Sequence, residues 1–238
     1  MNELSNLPWL TTTQMVEVDR LMVEEWHINL TQMMENAGRN LAEMVKLFLG
    51  GSISGKRIVV LSGTGNNGGG GMVAARHLHN MGAAVEVTVI GSTPHIKDVP
   101  AHQLSIIQKM GLLTSNPLLG RADVIVDAII GYGLTGEPRS PVADWIKLAN
   151  ASQTPIIALD TPSGLDATTE IPAKNCIRAD VTLTLALPKV GLKTPEARPF
   201  VGNLYLADIS VPPELYASPS VGLGVISPFS TEPIIKLF

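Results

Sequence analysis

Short runs of consecutive aliphatic and β-branched residues, separated by stretches with helical spacing, constrain this chain more than any other feature. Ile58-Val59-Val60-Leu61 is the first such run. It lacks the apolar/polar alternation of a half-solvated strand and predicts a strand buried on both faces. Val73, Ala74, His77, Leu78 and Met81 then follow helical spacing up to Gly82. The pattern repeats: a strand over Val85–Ile90, a helix through Leu104, Ile107 and Met110 to Gly111, and a strand over Val124–Val126. A helix through Trp145, Ile146 and Ala149 precedes a strand over Ile156–Leu159, with further strands over Val181–Leu187 and Leu204–Ala207. Such alternation with short connections specifies an α/β domain, doubly wound around a mostly parallel sheet.

Two helices precede the alternation. Thr11 and Gln14 have capping-box spacing, and Met15, Val18, Met22 and Trp26 form the stripe behind them. Leu30, Met34, Ala37, Leu41, Met44 and Phe48 form a second stripe that stops at Gly50-Gly51. Both helices are expected to pack on the same core, so residues 1–238 read as one domain. Prolines concentrate after Pro188, which predicts a tail wrapping the surface with little regular structure.

Composition narrows the function classes. Apolar residues make up 45% of the 238, enough for a sizeable core. The net charge of −4 argues against a nucleic-acid binder or a polybasic membrane binder. The single Cys176 excludes an intramolecular disulfide framework and a cysteine-rich zinc site. The opening MNELSNLPWL, with Glu3 and no apolar core, does not read as a secretory leader, and no run approaches the roughly 20 apolar residues that span a bilayer. The expectation is a cytoplasmic protein.

In open parallel sheets, ligands bind beyond the carboxyl ends of the strands. Three polar segments fall there: residues 63–71 after the first strand, Asp127 with Gly131 to Glu137 after the third, and Asp160-Thr161-Pro162-Ser163-Gly164 after the fourth. The first holds six glycines in nine residues and precedes a helix. It reads as a loop able to cradle a phosphate, or as a plain strand-to-helix turn. No lysine follows it as in a Walker loop, which counts against a nucleotide-dependent kinase. Asp127 and Asp160 end apolar strands. They either accept hydrogen bonds from helix N-termini or, with an Asn amide and a Ser hydroxyl nearby, form a hard-cation or acid–base site. Ser163 lacks the setting of a nucleophile elbow. Cys176, near Arg178, reads as a buried or surface thiol.

The segments GTGNNGGGGMVAARHL, DAIIGYGLTGEP, LDTPSGLDA, ADVTLTLALPKVGL and GNLYLADISVPPEL together resemble the YjeF N-terminal domain family, the NAD(P)H-hydrate epimerases. Upstream, TTTQMVEVDRLMVEEWHINLTQMMENAGRNLA is similar to the family's opening helices. The resemblance implies a three-layer α/β/α Rossmann-like fold, a homodimer, and interconversion of the R and S forms of hydrated NADH and NADPH. It implies a bound potassium ion at Asn67, Asp127 and Ser163. It implies substrate contacts from Asn66, Asn67, Gly68, Gly69 and Gly70, from Gly131, Tyr132, Gly133, Leu134, Thr135, Gly136 and Glu137, and from Asp160, with Asp160 as the acid/base. Lys189 matches the family's Pro-Lys, with a charge-balancing or structural role. The dehydratase fused to this domain in some members would here be a separate protein acting on the same metabolite. Two positions depart from the pattern: Gly70 replaces the loop aspartate, and Thr161 an aliphatic residue. The first departure raises the alternative of a member that binds a nucleotide or a protein partner without catalysis.

Overall fold

The computed structural model describes residues 7–92, 96, 98–169 and 171–238; Glu3 lies outside them. Seven strands form one sheet: β1 (Arg57–Ser62), β2 (Ala84–Val89), β3 (Val124–Ala128), β4 (Ile156–Leu159), β5 (Val181–Leu185), β6 (Asn203–Ala207) and β7 (Ile234–Lys236). Their order is β2-β1-β3-β4-β5-β6-β7. All neighbours run parallel except β6 and β7.

Side chains alternate across the sheet, and the two faces bury separate clusters. Ile58 and Val60 of β1 point to the side covered by α2 (Leu30–Phe48), α3 (Asn66–Asn80) and α4 (Asp98–Lys109). Val59 and Leu61 point to the side covered by α5 (Val142–Ala151) and the segment around Ile177. This makes three layers, α/β/α. A short helix, α6 (Arg198–Val201), leads into β6.

The capping box at the start of α1 (Thr12–Glu24) is present: Gln14 N donates to Thr11 Oγ1 at 3.2 Å, and Thr11 N to Gln14 Oε1 at 3.0 Å. Such a cap is worth about 1 kcal/mol. Asn29 and Gln32 build a second box for α2. Only α2 reaches the sheet cluster. The apolar stripe of α1, with Met33 and Ala37 of α2, packs instead on Ile209, Leu215, Tyr216 and Val221 of the tail. Trp26, expected on that stripe, is exposed, because α1 ends at Glu24 and the chain turns through His27 at φ 56°.

The tail is more ordered than its prolines suggest. A 3-10 turn over Pro213–Ala217 buries Leu215 and Tyr216, and β7 closes the sheet edge, with Tyr205 opposite Lys236. A three-residue edge strand carries no periodic signal of its own. The fifth strand stops at Leu185 rather than Leu187, because Ala186 takes φ 63° and turns the chain toward Lys189.

Candidate functional site

The sheet order reverses between β1 and β3, and a crevice opens beyond the carboxyl ends of strands at such a switch. A cavity of about 620 Å³ occupies it. One wall is made by Gly63 to Asn67 after β1, Ile129 to Gly133 after β3, Asp160 after β4 and Lys189 after β5. Met15 and Asp19 of α1 and Met33 and Met34 of α2 supply the opposite wall.

The glycine run is not a loop through residue 71. Helix α3 begins at Asn66, with Gly65 as a cap that provides no side-chain hydrogen bond. Gly68 to Gly71 therefore lie inside the helix, and packing explains them. A Cβ on Gly68 would stand 2.0 Å from Gly63 O, one on Gly69 2.5 Å from Met34 Sδ, and one on Gly71 2.5 Å from Ala128 Cβ. Bare backbone lets α3 seat directly on β1, β3 and α2. Gly70 lines the cavity, and a Cβ there would meet Leu159 Cδ2 at 2.9 Å. What the segment offers a ligand is the start of α3, where first-turn amides carry partial positive charge and no side chain caps them.

Asp127, the last residue but one of β3, has no exposure to solvent. Ser163 Oγ donates to its Oδ1 at 2.6 Å, Ser163 N to Oδ2 at 2.8 Å, and Ile129 N to Oδ1 at 3.2 Å. Burial pushes its carboxyl up to about 6 against these three bonds. Ser163 Oγ also accepts from Ile130 N at 2.9 Å. Asn67 approaches the same turn: a Cβ on Gly131 would stand 3.2 Å from Asn67 Cγ, and Asn67 Nδ2 is buried without a partner. Asn67, Asp127 and Ser163 thus gather around residues 129–131. Among the described residues no three His, Cys, Asp or Glu side chains cluster, so a cation here would rely on mixed oxygen donors.

Asp160 sits at φ 67°, a left-handed conformation that aspartate tolerates better than most residues. The turn aims its carboxylate into the rim. Lys189 Nζ donates to Oδ1 at 2.6 Å and Tyr132 N to Oδ2 at 3.0 Å. Lys189 also donates to Leu185 O at 2.8 Å and Thr184 Oγ1 at 3.3 Å. Its side chain has no exposure, and that of Asp160 has 5%. Lys189, expected in a charge-balancing or structural role, is thus the counter-charge of the candidate acid/base.

Asn66, Asn67, Gly70, Gly131, Tyr132, Gly133 and Asp160 all line the cavity. Gly68 and Gly69 face Gly63 and Met34 instead. Leu134, Thr135, Gly136 and Glu137 lie outside the lining. The Glu137 carboxylate accepts from Lys174 N at 3.1 and 3.2 Å and holds the loop there. Sequence reasoning missed Asp19. It lines the cavity and accepts a 2.5 Å hydrogen bond from the Tyr132 hydroxyl. The signal was present: Asp19 is four residues after Met15 and three before Met22, an acid within an apolar stripe.

The model of the family described as YjeF-related protein N-terminus matches residues 30–191. An NAD(P)H-hydrate epimerase from Dehalogenimonas lykanthroporepellens is 43% identical, over 96% of this chain and 92% of that protein. Another from Rhodopirellula baltica is 34% identical over 93% and 92%. A bifunctional NAD(P)H-hydrate repair enzyme from Moorella thermoacetica is 38% identical, but the chain spans only 42% of its length. The crystal structure of the yeast protein ynu0 shares the fold, with a TM-score of 0.79 over 97% of this chain and 24% identity.

Proposed function

This chain belongs to the family of YjeF-related N-terminal domains, and from that premise we propose that it epimerises hydrated NADH and NADPH, converting R and S forms into one another. One observation carries the reading most directly: the Asp160 carboxylate, held by Lys189 and the Tyr132 amide, stands in the cavity at the switch point.

The reacting carbon bears a hydroxyl beside a ring nitrogen. It inverts by loss and return of that oxygen or by ring opening, and either route moves a proton and develops charge. Asp160 serves as the proton-transferring group. Lys189 and the Tyr132 amide fix its orientation. The uncapped start of α3, with Asn66 and Asn67, takes the phosphates of the nucleotide. The methionine-rich wall of α1 and α2 gives its rings an apolar surface that excludes water. The substrate contacts are those of the implied set that line the cavity, Asn66, Asn67, Gly70, Gly131, Tyr132, Gly133 and Asp160, within one domain spanning residues 1–238.

The residues around Asp127 suit a potassium ion. They offer an amide, a carboxylate and a hydroxyl, Asp127 has no cationic side chain paired with it among the described residues, and the buried Asn67 amide lacks a partner. Asn67, Asp127 and Ser163 would hold the ion, which when bound supplies positive charge to this rim. The reading also takes the protein as a cytoplasmic homodimer working beside a separate dehydratase. The greater length of the bifunctional repair enzymes fits a partner activity on the same metabolite.

The test is to supply the pure R hydrate and follow the S form against the spontaneous rate, in potassium and in choline. The unaltered chain should accelerate conversion, more so in potassium, and Asp160→Asn should abolish the acceleration. No acceleration at high protein concentration would defeat the reading. Gly70 favours a second one, because the cavity wall lacks the family's aspartate there. The protein would then bind a nucleotide or a protein partner without turnover. Calorimetry with hydrated cofactor, NAD and ADP-ribose distinguishes the two: binding without conversion supports the second.

A further inference from the structure

We propose, resting on the epimerase reading, that Asp19 is a second catalytic group of the same cavity, the acid on the α1 wall that works with Asp160 as the base on the strand wall. Asp19 lines the cavity, and Tyr132 Oη donates to its Oδ2. Among the described residues no other side chain hydrogen-bonds this carboxyl and no cation pairs with it, whereas Asp160 has the Lys189 ammonium at 2.6 Å. Two carboxyls in one cavity, one neutralised by an ammonium and the other left to a phenol, divide naturally into a base and an acid. Burial supports the division. It holds the Asp19 carboxyl above its ordinary range, opposed by the Tyr132 hydrogen bond and the field of Lys189. The titratable groups facing Asp19 are Tyr132 after β3, Asp160 after β4, Lys189 after β5 and Tyr216 from the tail turn.

Tyr132 sets the spacing of the pair. Its amide donates to Asp160 and its hydroxyl to Asp19, so the two acids bracket one tyrosine. Lys189 Nζ lies 5.8 Å from the centre of the Tyr132 ring and completes the frame. A ring hydrate beside Tyr132 then has an acid at one end and a base at the other.

The step balances without an oxidant or reductant. Asp19 gives its proton to the substrate hydroxyl, the C–O bond breaks with its electron pair going to oxygen, and water leaves. The lone pair of the ring nitrogen forms a C=N bond in its place. Water then adds from the opposite face: its oxygen forms the new C–O bond, the C=N pair returns to nitrogen, and the surplus proton passes to Asp160. The two carboxyls have exchanged protonation states, and solvent resets them. The return direction uses the same groups in exchanged roles.

The experiment compares the unaltered chain with Asp19→Asn and Tyr132→Phe, measuring kcat, KM and their pH profiles for R-to-S conversion in oxygen-18 water. Asp19→Asn keeps an acceptor for the Tyr132 hydroxyl and removes only the proton. It should lower kcat by about a hundredfold or more, the usual scale of a general acid, leave KM little changed, and abolish the fall in rate at high pH. Tyr132→Phe should cost less, because Asp19 remains, and the product should carry oxygen-18. Three results would overturn the proposal in an active protein: Asp19→Asn with the full kcat, equal losses in the two variants with the change in KM, or product retaining its original oxygen. An unaltered chain without activity would instead defeat the epimerase reading itself, and the proposal with it.

Discussion

Replacing Lys189 by methionine should destabilise this protein as much as truncating a buried leucine or isoleucine of the sheet to alanine, although it leaves almost no cavity. The Lys189 side chain has no exposure and that of Asp160 only 5%, and their polar atoms stand 2.6 Å apart. Methionine preserves most of the volume and removes the charge. It leaves the Asp160 carboxylate with the Tyr132 amide and a weak 3.5 Å contact from Thr184 Oγ1, and strips a donor from Leu185 O. Breaking a buried ion pair from one side costs about 3–5 kcal/mol, since the surviving charge stays desolvated. In a chain of this size each kcal/mol moves the melting temperature by about 2–4 °C, so Lys189→Met should lower it by about 6–20 °C. The pair should couple. Asparagine keeps the left-handed turn and an acceptor for Tyr132 while removing the charge, so Lys189→Met with Asp160→Asn should be more stable than Lys189→Met alone. Urea unfolding of the four proteins closes the cycle. A loss under about 1 kcal/mol for Lys189→Met, or strictly additive losses, would show that the charge is compensated elsewhere and refute the argument.

Thr161→Val should stabilise the protein by about 1–3 kcal/mol in urea unfolding, because the Thr161 hydroxyl is fully buried with no partner and valine has the same shape. The Asp19 carboxyl is held above its ordinary 3.8, first by burial, so the folded form keeps this proton longer than the unfolded one. Its contribution to stability is therefore present at acid pH and is lost as pH rises above that value, and Asp19→Asn should flatten that part of a melting-temperature-against-pH curve. Gly70→Asp restores the family carboxylate at the cost of moving Leu159 Cδ2, the end of a flexible side chain, from 2.9 Å. A charge-assisted contact worth about 1.5–3 kcal/mol should raise R-to-S conversion by about tenfold or more, and an unchanged rate would show that Gly70 is not where the substrate is held.

Most of the sheet was legible because a strand buried on both faces leaves no choice of residue. Ile58 to Leu61 and Ile156 to Leu159 contain no polar side chain, and both runs are strands. The exceptions share one physical cause, a structure made by contacts rather than by local period. β7 is three residues on an edge and exists because β6 offers it an unpaired ladder. The glycines at 68–71 look like a loop because glycine is a poor helix former. They are helical because the helix must lie against β1, β3 and α2 at distances no Cβ would permit. Tertiary packing outweighs a propensity deficit of about 1 kcal/mol per glycine where close approach also brings the helix N-terminus to the cavity.

The site divides along the same line. Asp127 and Asp160 could be found because a carboxylate at the end of an apolar strand needs donors or a cation wherever the chain goes next. The pairings of Asp160 and Asp19 are not legible in local pattern, since nothing local links Asp160 to a lysine 29 positions on, or Asp19 to a tyrosine 113 positions on, and only the family resemblance gave Lys189 a charge-balancing role. Those pairings depend on the strand order, which sets the ends of β3, β4 and β5 side by side and brings the turns after them under α1. An acid inside an apolar stripe, as Asp19 is, therefore signals that a partner exists without saying which. The cavity answers, because there α1 meets the strand ends, and burying a carboxyl there is tolerable only with a donor such as the Tyr132 hydroxyl or with its own proton retained. Either way the group stays ready to exchange a proton with whatever fills the cavity, and the same burial that lowers its stability contribution at high pH suits it to that exchange.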